Sequence, residues 1–219
     1  MFEFVNDGEF SSIELGYSGS SPQREIRPSP SLPLHLMQQE FQKGEIIPCQ
    51  VGILWQIRQG VVRTTTWSVE GTKATLGLWG IGDAIGEPLS HVSPYEMECL
   101  THVKVDFLPS GLWYQALDAI FHHVQLTEEL LSILHWHPIS DRLKLFLIWL
   151  AEKFGREIQC GKLIDIKLTH QQIAEIISTT RVTITRSLIE FAKQGWVLYD
   201  SGYFILTATF INQFYRSES

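Results

Sequence analysis

Two arginines and two threonines fall within six consecutive residues of the 219-residue chain, in the string Arg181-Val182-Thr183-Ile184-Thr185-Arg186. A guanidinium group donates two parallel hydrogen bonds that match the edge of guanine, and an apolar side chain such as Val182 can rest on a thymine methyl. Threonine hydroxyls serve bases or phosphates equally well. Shortly before this string, Thr169-His170-Gln171-Gln172 supplies a second set of short polar groups, and Thr180 stands directly ahead of Arg181. The chemistry open to these residue types is hydrogen-bonded recognition of duplex DNA, in which no covalent bond changes. The candidate contacts are Thr169, His170, Gln171, Thr180, Arg181, Val182, Thr183, Thr185 and Arg186.

Such groups work only on a rigid support. Thr169 and Gln172 have the spacing of a capping box, in which the threonine hydroxyl accepts from the third helical N–H and the glutamine reaches back. Ile173, Ala174, Ile176 and Ile177 then form the apolar face of a short helix, which Ser178-Thr179-Thr180 interrupt. A second helix runs from Arg181 towards Lys193 and buries Ile184, Leu188 and Phe191, leaving the arginines and threonines near its exposed start. Two short helices joined by a tight turn form the layout that inserts a helix into the major groove. The β-rich runs on either side of Asp200-Ser201-Gly202 read as a hairpin, the wing, with an acidic tip.

Upstream, residues 52–57, 61–67, 74–79, 95–100 and 103–108 are short runs rich in β-branched and aromatic residues, with a turn at Glu70-Gly71. Their spacing suggests an antiparallel barrel or roll. Helical periodicity follows: Leu117, Ile120, Phe121 and Val124 make one stripe, which Leu130, Leu131 and Leu134 continue. Pro138 breaks the run, and a further helix spans 139–154. Residues 1–33 are rich in Ser, Gly and Pro and read as a loose arm, with too little apolar surface to offset the entropy of ordering. The expected division is an arm over 1–33, a β domain over 34–110, a linking helix over 111–138 and a winged-helix domain over 139–219.

Composition limits the alternatives. The formal net charge is −7, yet it is unevenly spread: residues 1–138 carry 7 Lys and Arg against 16 Asp and Glu, while residues 139–219 carry 10 against 8. A weakly basic module is thus joined to an acidic one. Residues 143–150 form the longest strongly apolar stretch, far too short to span a bilayer. The start of the chain lacks the basic-then-apolar order of a secretion signal. Cys49, Cys99 and Cys160 are scattered, with no C-x-x-C pair to suggest zinc or an iron–sulfur cluster. These features together place the chain in the cytoplasm with no membrane partner, no metal and no cofactor. The adjacent His122-His123 and the His135-Trp136-His137 group read as solvated or core residues, and five tryptophans (Trp55, Trp67, Trp79, Trp113, Trp149) as core. Gly80-Ile81-Gly82-Asp83-Ala84-Ile85-Gly86 has the wrong spacing for a dinucleotide loop. No nucleophile–base pair or paired carboxylates stand out, which argues against an enzyme.

Residues 168–175 and 180–186, with Asp141-Arg142-Leu143 before them, resemble the recognition region of the CRP/FNR superfamily of transcription regulators, and within it the cyanobacterial NtcA branch, which the valine at 182 matches. The resemblance covers roughly residues 40 to 210. It implies an α+β protein: an N-terminal antiparallel β-roll of the cyclic-nucleotide-binding type, a linking helix and a C-terminal winged helix-turn-helix. It also implies a homodimer on a palindromic operator. Three positions depart from the family pattern. Ser178 stands where the turn usually has glycine, at a cost of about 1 kcal/mol if φ is positive. Gly86-Glu87-Pro88-Leu89 resembles the start of the phosphate cassette, but Pro94-Tyr95-Glu96-Met97-Glu98 stands where its arginine belongs. A phosphate would there meet carboxylates, so the pocket of Gly86, Glu87, Pro88, Leu89 and Tyr95 reads as degenerate and closed to cyclic nucleotide. The linking helix is about a dozen residues shorter than in cyclic-AMP-binding relatives, or about three turns. The leading expectation is a sequence-specific DNA-binding regulator. The competing one is an adaptor that binds another regulator or RNA polymerase, favoured by the net acidity and the acidic wing, disfavoured by the arginine–threonine string.

Overall fold

A computed structural model of the protein describes residues 38–217; the arm expected over 1–33 lies outside them. The described chain starts with a roll of short strands: β1 (Gln38–Phe41), β2 (Ile46–Ile47), β3 (Ile53–Gln59), β4 (Val62–Trp67), β5 (Lys73–Trp79), β6 (Ala84–Ile85), β7 (Glu96–Cys99) and β8 (Val103–Pro109). They form two antiparallel four-stranded sheets, in the orders β1-β8-β3-β6 and β2-β7-β4-β5. Alternate residues face inward, so Trp55, Ile57, Val103 and Val105 of one sheet meet Ile47, Val62, Met97 and Cys99 of the other. The Glu70-Gly71 turn is present, closed by bonds from Gly71 N to Ser68 O and from Ser68 N to Thr72 O. β1, β2 and β6 add to the expected strands and are too short to show a period of their own.

A 3₁₀ stretch over Ser110–Ala116 leads into α1 (Leu117–His135). This helix does not bury its apolar residues as one stripe. Ala119, Leu126, Leu130 and Ile133 are buried against the body, while Leu117, Phe121, Val124 and Leu131 are exposed. At about 100° per residue the two sets lie on opposite sides of the helix. The stripe expected from the sequence thus combined residues of two faces: Leu130 is buried, Ile120 and Leu134 are half-buried, and the other four are exposed. His122 is exposed and His123 half-buried, as solvated and core histidines would be. Both reach the turn before β6, where His122 Nδ1 lies 3.1 Å from Asp83 and His123 Nδ1 lies 3.0 Å from the Ala84 carbonyl. Trp55, Trp79 and Trp149 are core residues, whereas Trp67 is exposed.

α2 (Ile139–Phe154) buries Leu143, Phe146, Leu147 and Leu150, the i, i+3, i+4, i+7 spacing of a core-facing helix. The rest of the chain is β9 (Gly155–Ile158), β10 (Gly161–Ile164), α3 (His170–Ile176), α4 (Arg181–Lys193), β11 (Val197–Asp200), β12 (Tyr203–Thr207) and α5 (Ala208–Ser217). The β9–β10 hairpin and α5 have no counterpart among the elements expected from the sequence. The hairpin extends the wing into a four-stranded sheet, β11-β12-β10-β9. Gly161 is needed there, because a Cβ would stand 2.0 Å from the Leu206 carbonyl oxygen. One buried cluster runs from the roll through α1 and α2 to Ile173, Ile184 and Phe204.

Candidate nucleic-acid interface

The capping box at Thr169 forms in both directions: Gln172 N donates to Thr169 Oγ1 at 3.1 Å, and Thr169 N donates to Gln172 Oε1 at 2.9 Å. α3 ends with Ser178 at φ 55° and a bond from Thr179 N to Ala174 O of 2.9 Å, the six-to-one closure of a Schellman turn. The left-handed conformation anticipated for Ser178 is therefore present. Arg142 of α2, itself buried, donates to the Ile177 carbonyl at 2.8 Å and to the Trp136 carbonyl at 3.1 Å. A cation thereby closes the negative end of α3 and fixes the turn to α2. Sequence reasoning saw Arg142 only as part of a resemblance; its partner is 35 residues away and leaves no local mark.

α4 begins at the Thr180 cap, whose Oγ1 accepts from Thr183 N at 3.2 Å. It ends in a second Schellman turn, with Gly195 at φ 70° and bonds from Gly195 N to Ala192 O and Trp196 N to Phe191 O. Ile184, Leu188 and Phe191 hold it against the body. Arg181, Val182 and Arg186 are exposed, and neither arginine has a hydrogen bond or ion pair among the described residues. The other candidate contacts have partners within the chain. The Thr183 hydroxyl lies 2.9 Å from that of Thr180. Thr185 Oγ1 donates to the Arg181 carbonyl and lies 2.9 Å from His170 Nδ1. Gln171 donates to Glu175, which receives the guanidinium of buried Arg63 at 2.8 Å and so ties α3 to β4. Burial, reinforced by the Arg181 charge, lowers the pKa of His170 and keeps its ring neutral. In the wing, Ser201 and Gly202 both have positive φ, as a two-residue type I′ turn requires. Lys167 stands 4.7 Å above the ring of Tyr203, the residue that follows this turn at the tip of the hairpin.

The expected cassette is arranged differently from the sequence reading. A cavity of about 350 Å³ opens between the roll and α1, walled by Thr64, Leu76, Trp79, Leu89, Tyr95 and His123 among others. Leu89 and Tyr95 reach it; Gly86, Glu87 and Pro88 do not line it. Gly86 instead allows close passage of β3, since a Cβ would stand 2.6 Å from the Ile53 carbonyl. Glu96 and Glu98 also turn away from the cavity. Both bind Lys73, and Glu98 also binds Arg63, on the outer face of the sheet. The expectation that these carboxylates would face a bound phosphate is therefore corrected. Among the described residues the wall includes neither lysine nor arginine, and it includes Glu128. Burial raises the pKa of the Tyr95 phenol and lowers that of His123, leaving both neutral at pH 7.

Residues 141–208 match the Crp-like helix-turn-helix domain. The regulatory protein CysR of Synechococcus elongatus is 42% identical over 153 residues, which cover 68% of this chain and 74% of CysR. The chain belongs to the CRP/FNR family of transcription regulators. The global nitrogen regulator of the same species is 26% identical over 181 residues, 73% of this chain and 80% of that protein. A CRP-family regulator of known structure from Thermus thermophilus superposes with a TM-score of 0.70 at 18% identity, over 83% of this chain and 97% of its own. That last likeness speaks to fold alone: the α+β arrangement of roll, helices and winged helix-turn-helix is the CRP/FNR fold. As a family member the chain is a DNA-binding regulator of transcription, and no helix among the described residues is long and apolar enough to cross a membrane.

Proposed function

We propose that this regulator reads a palindromic operator as a homodimer, with the helix that starts at Arg181 in the major groove, and that its roll cavity takes no cyclic nucleotide. The observation that carries the reading is the start of α4, where Arg181, Val182 and Arg186 are exposed on a helix fixed at both ends and along its buried face. The second apolar face of α1 supports the homodimer, and the lack of lysine and arginine in the cavity wall among the described residues supports a degenerate pocket. The division into 34–110, 111–138 and 139–219 accords with β8 ending at Pro109, α1 at His135 and α2 beginning at Ile139.

A randomised-site selection at fixed salt tests the reading. Wild type selects an inverted repeat, and Arg181→Ala weakens binding to it by about 1–3 kcal/mol while relaxing preference at one base pair of each half-site. A wild type that selects no motif, or an Arg181→Ala variant with unchanged motif and affinity, would give the lead to the adaptor.

A further inference from the structure

His170 was read from sequence as a residue that touches DNA, and its geometry assigns it another task. Its Nδ1 lies 2.9 Å from Thr185 Oγ1, and that hydroxyl donates to the Arg181 carbonyl at 2.9 Å. A hydroxyl has one proton. With that proton directed to Arg181, the His170–Thr185 bond requires an N–H on Nδ1. The neutral ring therefore carries its proton on Nδ1, and Nε2 is bare. The ring also stacks on Phe204 of β12, with centroids 6.3 Å apart and planes at 26°. It borders a cavity of about 350 Å³ shared with Leu188 and Ile189 of α4 and with Val197 and Tyr199 of the wing. One imidazole thus touches all three parts of the reading head: its own helix α3, the recognition helix and the wing.

We propose that His170 is a positioning residue: through Thr185 it sets the rotation of α4, and with it the direction in which Arg181, Val182 and Arg186 point. Three apolar residues, Ile184, Leu188 and Phe191, hold α4 down. Such a contact is non-directional and tolerates rotation of the helix, whereas a hydrogen bond to its first full turn does not. Thr185 lies one turn beyond Arg181 and bonds to its carbonyl, so a change in the histidine is transmitted to the arginine's own peptide group. The hydroxyl proton of Thr185 is already engaged, which removes it as a donor to a base. This proposal rests on α4 being the DNA reader, and it is tested partly without DNA so that the two can fail separately.

In the free full-length protein labelled with ¹⁵N-histidine, His170, assigned by its loss in His170→Asn, shows the Nδ1–H tautomer. On the selected operator, His170→Ala and Thr185→Val each weaken binding by about three- to tenfold, the range set by one net hydrogen bond. The double variant binds no worse than the weaker single one, and the slope of affinity against salt is unchanged. His170→Asn, whose amide N–H falls near the position of Nδ1, restores affinity to within about twofold; His170→Gln, whose amide lies near Nε2, does not. A His170 proton found on Nε2 overturns the proposal. So does additive loss in the double variant, or a His170→Ala effect that lowers the salt slope by about one while Thr185→Val is neutral, because His170 would then be meeting a phosphate directly. Should the selection yield no operator, the tautomer and a double-variant cycle on thermal unfolding still decide whether the bond exists and couples the two helices.

Discussion

His123 shows how much the surroundings of a single side chain decide. Its Nδ1 can only donate to the Ala84 carbonyl, and its ring stacks on Trp79 at 3.9 Å with planes 4° apart, while Trp79 in turn donates to Thr64. Burial disfavours the imidazolium, and Lys153 nearby adds to the effect, so the folded ring takes up a proton only below its ordinary pKa of 6.5. The unfolded chain binds that proton at higher pH, so acid favours unfolding. Stability contributed by His123 is complete above about pH 6.5 and is lost as pH falls towards the lowered folded value. The slope from one such group is at most about 1.4 kcal/mol per pH unit. His170 titrates in the same sense. Asparagine at position 123 keeps an N–H for Ala84 but does not titrate in this range. Thermal melts of His123→Asn between pH 7 and pH 5 should therefore show a lower melting temperature at pH 7 and a shallower decline with acid than wild type. Equal declines would mean that folding leaves the proton affinity of His123 unchanged. Arg63 raises a related point about legibility. It is almost wholly buried, bound to Glu98 and Glu175, yet nothing around position 63 in the sequence signals this, because Glu175 is 112 residues away.

Elements were legible where a local rule governs them. The capping box at Thr169, the start of α4 at Arg181, the Ser178 turn and the span of α2 each follow from a few adjacent residues, and the structure places them as read. The β9–β10 hairpin was missed because its strands are four residues each, mix polar and apolar side chains, and are held by pairing with distant β12. β7 is more instructive. Tyr95-Glu96-Met97-Glu98-Cys99 alternates polar and apolar residues, and a period of two places both glutamates on the face opposite Met97 and Cys99. The strand itself is legible over 95–100, and its period of two contradicts the expectation that Glu96 and Glu98 face a bound phosphate. The proposal of a pocket closed to cyclic nucleotide rests on a different observation, since the cavity wall among the described residues has no lysine or arginine to meet a phosphate and includes the carboxylate of Glu128. Calorimetry with cyclic AMP and cyclic GMP should give no heat of binding at concentrations up to hundreds of micromolar. A micromolar dissociation constant for either would show that the wall rearranges to bring in a basic residue, and would remove the argument for a degenerate pocket.

For the whole molecule, the proposed homodimer raises the question of how one reading head becomes two. A palindrome requires two recognition helices about one duplex turn apart, so some surface must hold two chains in fixed register. In the proposed dimer α1 would offer that surface, because among the described residues the roll and α2 use only one of its faces. Leu117, Phe121, Val124 and Leu131 recur at four, three and seven residues, within about 40° of one line along the helix, and are left exposed. Phe121 keeps 67% of its surface exposed and Leu131 keeps 54%, values that make little sense for a helix serving one chain alone. Periodicity could not separate this face from the buried one, since a helix that is apolar on two sides shows both in the same sequence pattern. The two faces make opposite predictions. Phe121→Asp with Leu131→Asp should leave the fold intact, convert a dimer of 25.1 kDa chains to monomers in sedimentation, and reduce affinity for the full operator to that for a half-site. Leu130→Ala, on the buried face, should lower unfolding stability by about 2–5 kcal/mol while leaving the association of the folded protein unchanged. A double aspartate variant that remains dimeric, or a wild type that sediments as a monomer both free and on its operator, would show that α1 is not the seam.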